Sequence, residues 1–133
     1  DAETPYPVIA ILPEQEKLLA DKNYGGTMRL GDYTAHIKAG GVEAQIYGAE
    51  KVTGRHRHRY EVNPEYIEQL EKAGLVFSAS SPDRRLMEIA ELPASVHPFF
   101  VATQAHPELT SRPLRPNPLF VSFLKAAGRR AEK

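Results

Sequence analysis

Phe99-Phe100-Val101-Ala102-Thr103-Gln104-Ala105-His106-Pro107-Glu108-Leu109 is the stretch whose reading decides the fold. Its apolar start predicts a buried strand over Phe99 to Gln104. The strand runs into a histidine and a carboxylate two residues apart, with a proline between them. In an extended chain, residues i and i+2 point to the same side, and their Cα atoms lie roughly 6.5–7 Å apart. Glu108 is therefore in reach of the His106 ring, able to fix its tautomer and orientation. Pro107 has no N–H and does not belong in the middle of a central ladder, so the pair is expected where the strand ends. In open α/β sheets that edge is where ligands bind. A base with its orienting carboxylate is two-thirds of a nucleophilic triad. Spacing alone favours the plainer reading, a partly exposed loop histidine beside a surface carboxylate.

The rest of the chain bounds what that pair belongs to. At 133 residues the length suits one domain, residues 1–133, and a net charge of zero with 41% hydrophobic residues is that of an ordinary globular protein. The charge balance gives no drive for general nucleic-acid binding. No apolar run reaches the roughly 18 residues of a membrane span, and no signal-peptide pattern is present. A cytoplasmic location fits. There is no cysteine, so neither disulfide, thiolate metal site nor thiol nucleophile comes from these residues. The first residue is Asp1 and not methionine, which predicts a fragment, a processed product or a numbering that starts inside a longer protein.

Outward from the central stretch, turn and cap signals divide the chain. Pro13-Glu14-Gln15-Glu16 predicts a helix start, continued by Lys17 to Ala20. Gly26 to Ile37 predicts a strand broken at Gly31 and followed by a second short strand. Val42 to Tyr47 is long enough for one helical turn. Val52 to Val62 predicts one long strand, with Arg55, Arg57 and Arg59 on one face and His56, His58 and Tyr60 on the other. Asn63-Pro64-Glu65 is a strong helix start, and Gly74 ends that helix. Leu75 to Ser80 and Leu86 to Leu92 predict a hairpin joined by Ser81-Pro82-Asp83-Arg84, with arginine where a glycine is expected. Asn117-Pro118 opens a last helix, whose Leu119, Phe120, Phe123, Leu124 and Ala127 share a face expected to pack on the sheet.

Two further motifs carry chemistry. Arg55-His56-Arg57-His58-Arg59-Tyr60 allows a metal site on its histidine face, a phosphate or RNA contact on its arginine face, or an ordinary half-exposed strand. Two histidines without a third ligand make the metal reading weak. Gly25-Gly26-Thr27-Met28-Arg29-Leu30-Gly31 lacks the spacing and lysine of a phosphate loop. The start of a strand with a turn is the plain reading, with Arg29 open to pairing with a neighbour.

Taken together, Thr103-Gln104-Ala105-His106-Pro107-Glu108-Leu109 with Ser111-Arg112-Pro113, the Gly25–Gly31 segment, and Arg55–Tyr60 with Glu61-Val62-Asn63 resemble the class I glutamine amidotransferase family, and within it the CTP synthases. The resemblance runs from about Glu3 to the C-terminus. It implies an α/β fold: the C-terminal portion of a flavodoxin-like domain, a mixed sheet with flanking helices. It implies that His106 is the general base, Glu108 its orienter, and Arg59 a residue that binds the glutamine substrate. An arginine fork suits an amino-acid carboxylate. In the family a cysteine attacks the glutamine amide, forms a glutamyl thioester and releases ammonia; a neighbouring histidine lowers the thiol pKa. That cysteine is expected to lie on a strand-to-helix turn N-terminal to these residues, because Asp1 to Pro5 resembles the segment just after that helix. Truncation, and not replacement by Ser111 or Thr103, is the expectation, and the isolated chain is expected to be inactive. Gly54 stands where the family usually has a glutamate, which alters the local ion pairing.

The resemblance further implies a parent enzyme that uses ATP and magnesium in a separate synthase domain to aminate UTP. It implies no cofactor or metal in this segment. The expected partners are glutamine, the remainder of the amidotransferase domain, the synthase domain and further copies in a homo-oligomer, with no nucleic acid and no membrane. A non-catalytic relative that binds glutamine or a partner subunit, and another class I amidotransferase, are the alternatives.

Overall fold

The computed structural model describes residues 3–11 and 28–131. The helix expected at Pro13 to Ala20 and the first residues of the glycine motif lie outside the described residues. Strand β1 (Ile9–Ile11) comes first, followed by β2 (Arg29–Ile37), helix α1 (Val42–Tyr47), β3 (Lys51–His58) and β4 (Tyr60–Val62). Helix α2 (Pro64–Lys72), strands β5 (Val76–Ser80), β6 (Met87–Glu91) and β7 (Val101–Thr103), a 3₁₀ turn at Pro107–Leu109 and helix α3 (Pro118–Ala131) complete the described elements. Five strands form one sheet in the order β3-β2-β5-β6-β7, and β1 pairs with β4 in a second, two-stranded sheet. Each of these pairings is antiparallel. The architecture is the α/β sheet with flanking helices that the resemblance implies. No described helix is long and apolar enough to cross a membrane.

The core sits where α1 covers the sheet. Ala35, Ile37, Ala79 and Ile89 are buried, and Ala44, Tyr47, Val52 and Val101 pack against them. Strand β5 is buried along Phe77 to Ser80, as a central strand should be. The glycine motif does not break β2. Gly31 takes a φ of +102° while staying paired with His56. Without a Cβ the glycine adopts that angle at little cost, so the distortion is absorbed inside the ladder.

The long strand expected over Val52 to Val62 is two strands in two sheets. It ends at His58, turns at Arg59, and resumes at Tyr60 against β1. Up to His58 the alternation holds: Arg55 and Arg57 face out and His56 is buried. After the turn the parity changes, so Tyr60 is exposed and Glu61 is fully buried.

Asn63 caps α2, its Oδ1 accepting the Glu65 N–H at 3.1 Å while its Nδ2 donates to Pro7 O at 3.0 Å. Gly74 follows the helix with a φ of +101°. The β5–β6 hairpin closes through Ser81 N–H to Leu86 O at 2.9 Å. Arg84 takes the left-handed angle, φ 62°, that a glycine was expected to supply.

Two apolar expectations fail. The strand before His106 is only Val101–Thr103 and lies at the sheet edge, with Ala102 exposed; Phe99 and Phe100 precede it. An apolar run cannot by itself distinguish a central strand from an edge strand. The last helix forms as expected, but of its stripe only Leu119 is buried; Phe120, Phe123 and Leu124 are 39, 55 and 67% exposed. Helix α3 packs on α1, and the ring of Phe123 meets Phe99 at 5.9 Å. Periodicity says which side chains share a face, and not what meets that face.

Candidate active site

The end of β7 is held from three sides before it reaches the histidine. Thr103 Oγ1 accepts the Ala105 N–H at 3.1 Å. The Gln104 N–H donates to Glu88 O at 2.9 Å, and the His106 N–H donates to Arg55 O at 2.8 Å. Pro107 then starts a 3₁₀ turn, a place where its missing N–H costs nothing. The turn, and not an extended strand, brings Glu108 back to its neighbour. His106 Nδ1 and Glu108 Oε1 are 2.7 Å apart. A carboxylate only accepts hydrogen bonds, so Nδ1 carries the proton and Nε2 presents its lone pair. Glu108 is held below the usual carboxylate range by its own backbone N–H and by the bond to His106. The side chains of both residues remain substantially exposed.

His106 lines a small cavity of about 30 Å³ together with Tyr33, His56, Glu88, Thr103 and Pro107. Gly54 borders it: a Cβ there would come within 2.5 Å of the Ala105 Cβ. A side chain as large as the glutamate of the resemblance therefore has no room at position 54 in this arrangement. Arg59 lines a second hollow, with His58, Tyr60, Thr103 and Gln104, and not the cavity beside His106. Thr103 and Glu88 border both spaces. The structure thus joins His106 to Glu108 directly and sets Arg59 one hollow away.

Beneath the site lies a polar network that reading the motifs one at a time misses. The Arg29 guanidinium is buried between two buried carboxylates. It donates to both oxygens of Glu88, at 2.7 and 3.2 Å, and to Glu61 Oε1 at 3.3 Å. Its face lies 4.4 Å above the Tyr33 ring. Burial opposes the charge of Arg29, but the two glutamates overcome it and its pKa is raised. Burial raises Glu61, against the pull of Arg29.

The histidines of the arginine–histidine motif continue this network. His56 Nδ1 and His58 Nε2 are 2.9 Å apart, and His58 Nδ1 is 3.1 Å from Tyr60 O. The carbonyl accepts, so His58 donates through Nδ1 and accepts at Nε2 from His56. Burial, then the charge of Arg29, push His56 down to about 4. Burial lowers His58 as well, against its bond to Tyr60 O. Two neutral rings are the consistent assignment near neutral pH. Among the described residues no group of three or more His, Asp or Glu is arranged to hold a metal ion. The sequence did carry a signal for the network: Glu88 sits among the apolar residues Met87, Ile89 and Ala90, and a buried carboxylate needs a partner.

The model of the family described as glutamine amidotransferase class-I matches residues 10–126. The chain belongs to that family. Among curated relatives, this class-I amidotransferase chain is 61% identical over 127 residues to the CTP synthase of Archaeoglobus fulgidus, a match that takes in 96% of the chain and 23% of the relative. It is 57% identical over 123 residues to that of Saccharopolyspora erythraea, covering 92% of the chain and 22% of the relative. The chain therefore spans less than a quarter of the length of these relatives. Among solved structures, the Trypanosoma brucei CTP synthase glutaminase domain with bound acivicin superposes with a TM-score of 0.81 at 38% identity, over 97% of this chain and 48% of that one.

Proposed function

We propose that this chain is the C-terminal part of the glutaminase domain of a CTP synthase and that it supplies the base of a cysteine–histidine–glutamate triad. The observation that carries the reading is the 2.7 Å contact between His106 Nδ1 and Glu108 Oε1, which leaves Nε2 as a base at the rim of a cavity. In this reading Nε2 takes the proton of a cysteine thiol supplied from outside this sequence, which has no cysteine. The thiolate adds to the glutamine amide carbon. His106 returns the proton to the amide nitrogen, ammonia leaves, and a glutamyl thioester remains. Water then attacks with His106 again as base, releasing glutamate and the thiol. The imidazolium formed at each stage is stabilised by Glu108. Arg59 is assigned to the α-carboxylate of glutamine, from the neighbouring hollow.

The ammonia passes to a synthase domain, where UTP activated by ATP is aminated to CTP with magnesium; no part of that step is assigned to these residues. Identity with CTP synthases across almost the whole chain supports this parent over other class-I amidotransferases. The test measures CTP formation from UTP and ATP by the longer protein that carries this segment, with glutamine or with ammonium as nitrogen source. His106→Ala should abolish the glutamine-dependent rate and spare the ammonium-dependent one. Equal loss of both, or neither, contradicts the assignment.

A further inference from the structure

We infer that Arg29 and Gln104 are positioning residues for the His106–Glu108 pair, and that the buried network acts as a clamp on the turn that carries it. The inference rests on the function proposed above and concerns residues to which that reading gives no role.

The clamp arises from where its partners sit. Glu61 is on β4 in the two-stranded sheet, and Glu88 is on β6 in the five-stranded sheet. Arg29, on β2, holds both carboxylates with one guanidinium and so ties the two sheets together. Gln104 bridges the same two strands. Its backbone N–H donates to Glu88 O at 2.9 Å, and its Nε2 donates to Glu61 Oε2 and to Tyr60 O, each at 3.2 Å. Gln104 lies two residues before His106, whose own N–H is tied to Arg55 O on β3. Thus each glutamate whose side chain is gripped by Arg29 also anchors Gln104, one through its side chain and the other through its backbone. Edge strand β7 has only three residues of ladder, so these bonds carry much of the orientation of the turn.

Geometry of this kind has a catalytic consequence. A displacement of about 1 Å in a reacting group can cost roughly 100-fold in rate. A guanidinium also suits this position better than an ammonium would. Its planar fork meets Glu88 with two donors and still reaches Glu61, whereas an ammonium is a point charge.

The test uses the longer protein and three variants. Arg29→Met removes the cation but strands two buried carboxylates and is at risk of failing to fold. Arg29→Lys keeps the charge without the fork. Gln104→Met removes only the side-chain bridge and leaves the Arg29–Glu61–Glu88 cluster intact. Two readouts are taken: steady-state glutaminase and CTP-forming rates, and amide hydrogen exchange at Ala105 and His106. For Gln104→Met and Arg29→Lys, glutamine-dependent kcat should fall roughly 10- to 100-fold; for Arg29→Lys, whose side chain does not line the hollow beside Arg59, KM should stay within about twofold. The ammonium-dependent rate should hold, and exchange at His106 should accelerate at least about tenfold while the β5–β6 ladder keeps its protection. Wild-type kcat and wild-type exchange in both variants overturn the inference, as does a loss of the ammonium-dependent rate in parallel, which marks a general structural role. A wild-type protein without glutaminase activity, but with faster His106 exchange in the variants, defeats the proposed reaction and leaves the clamp standing.

Discussion

Glu108 accepts a hydrogen bond from His106 through a 3₁₀ turn that an extended-strand argument does not supply. The pairing was legible because a two-residue spacing limits the distance under either geometry; the turn was not, since Pro107 signals only where a ladder must stop. Glu108 sits below the usual carboxylate range, so it stays ionised through the neutral region and keeps Nδ1 protonated. Glu108→Gln in the longer protein should therefore lower glutaminase kcat by roughly 10²–10⁴-fold, through loss of the tautomer that presents Nε2, with unchanged ammonium-dependent CTP formation as the control. Arg29 shows the opposite case. Its motif was visible, but its partners Glu61 and Glu88 lie 32 and 59 residues away, and no local pattern links them.

Elements were legible where caps and turns act locally. Asn63 is the N-cap its sequence announced, and its amide also ties α2 to Pro7. Asn63→Ala should cost about 1–2 kcal/mol in chemical denaturation. Helix α3 is the element whose environment differs from the one its sequence predicts. A stripe of Leu119, Phe120, Phe123, Leu124 and Ala127 has helical spacing, yet most of it is exposed. Substituting a packed core phenylalanine costs roughly 3–5 kcal/mol. Phe120 is 39% exposed, so Phe120→Ala in the 133-residue chain should cost less than about 1 kcal/mol. A loss of several kcal/mol would mean that another surface covers the stripe. The bend at Arg59 was hidden for a different reason: alternation continued past it in sequence, and only the buried demand of Glu61 for Arg29 marks the change of sheet.

At the scale of the whole molecule, the order of strands was not written in the sequence. The buried charges instead tie together elements distant in the chain, Arg29 on β2 with Glu61 on β4 and Glu88 on β6. Among the described residues, Glu43 is a buried carboxyl without compensation. It is fully buried on α1 with neither oxygen paired, while Glu91 accepts the Val42 and Glu43 N–H groups at 2.9 and 3.1 Å. Burial, then the charge of Glu91, push Glu43 up to about 7, and Glu43 in turn helps burial hold Tyr47 near 12. A carboxyl raised on folding is favoured as the acid. Its stabilising effect is complete below the unfolded value of about 4.5 and is lost as pH rises to about 7. Over that window the loss should be about 3 kcal/mol, and Glu43→Met should abolish this component of the slope and raise the midpoint at pH 7. An unaltered pH profile in that variant would place the carboxyl in water.

These residues are proposed to provide a base and its orienter to a nucleophile carried elsewhere. Ammonia release from glutamine tests it most directly, compared among the 133-residue chain alone, the longer cysteine-bearing protein, and that protein with His106→Ala. Release is expected from the longer protein only. In acyl-transfer enzymes, loss of a triad member leaves the residual catalysis of the oxyanion hole and binding, so the His106→Ala rate should fall by several orders of magnitude. Turnover by the isolated chain above the no-enzyme blank, or full activity without His106, would contradict it.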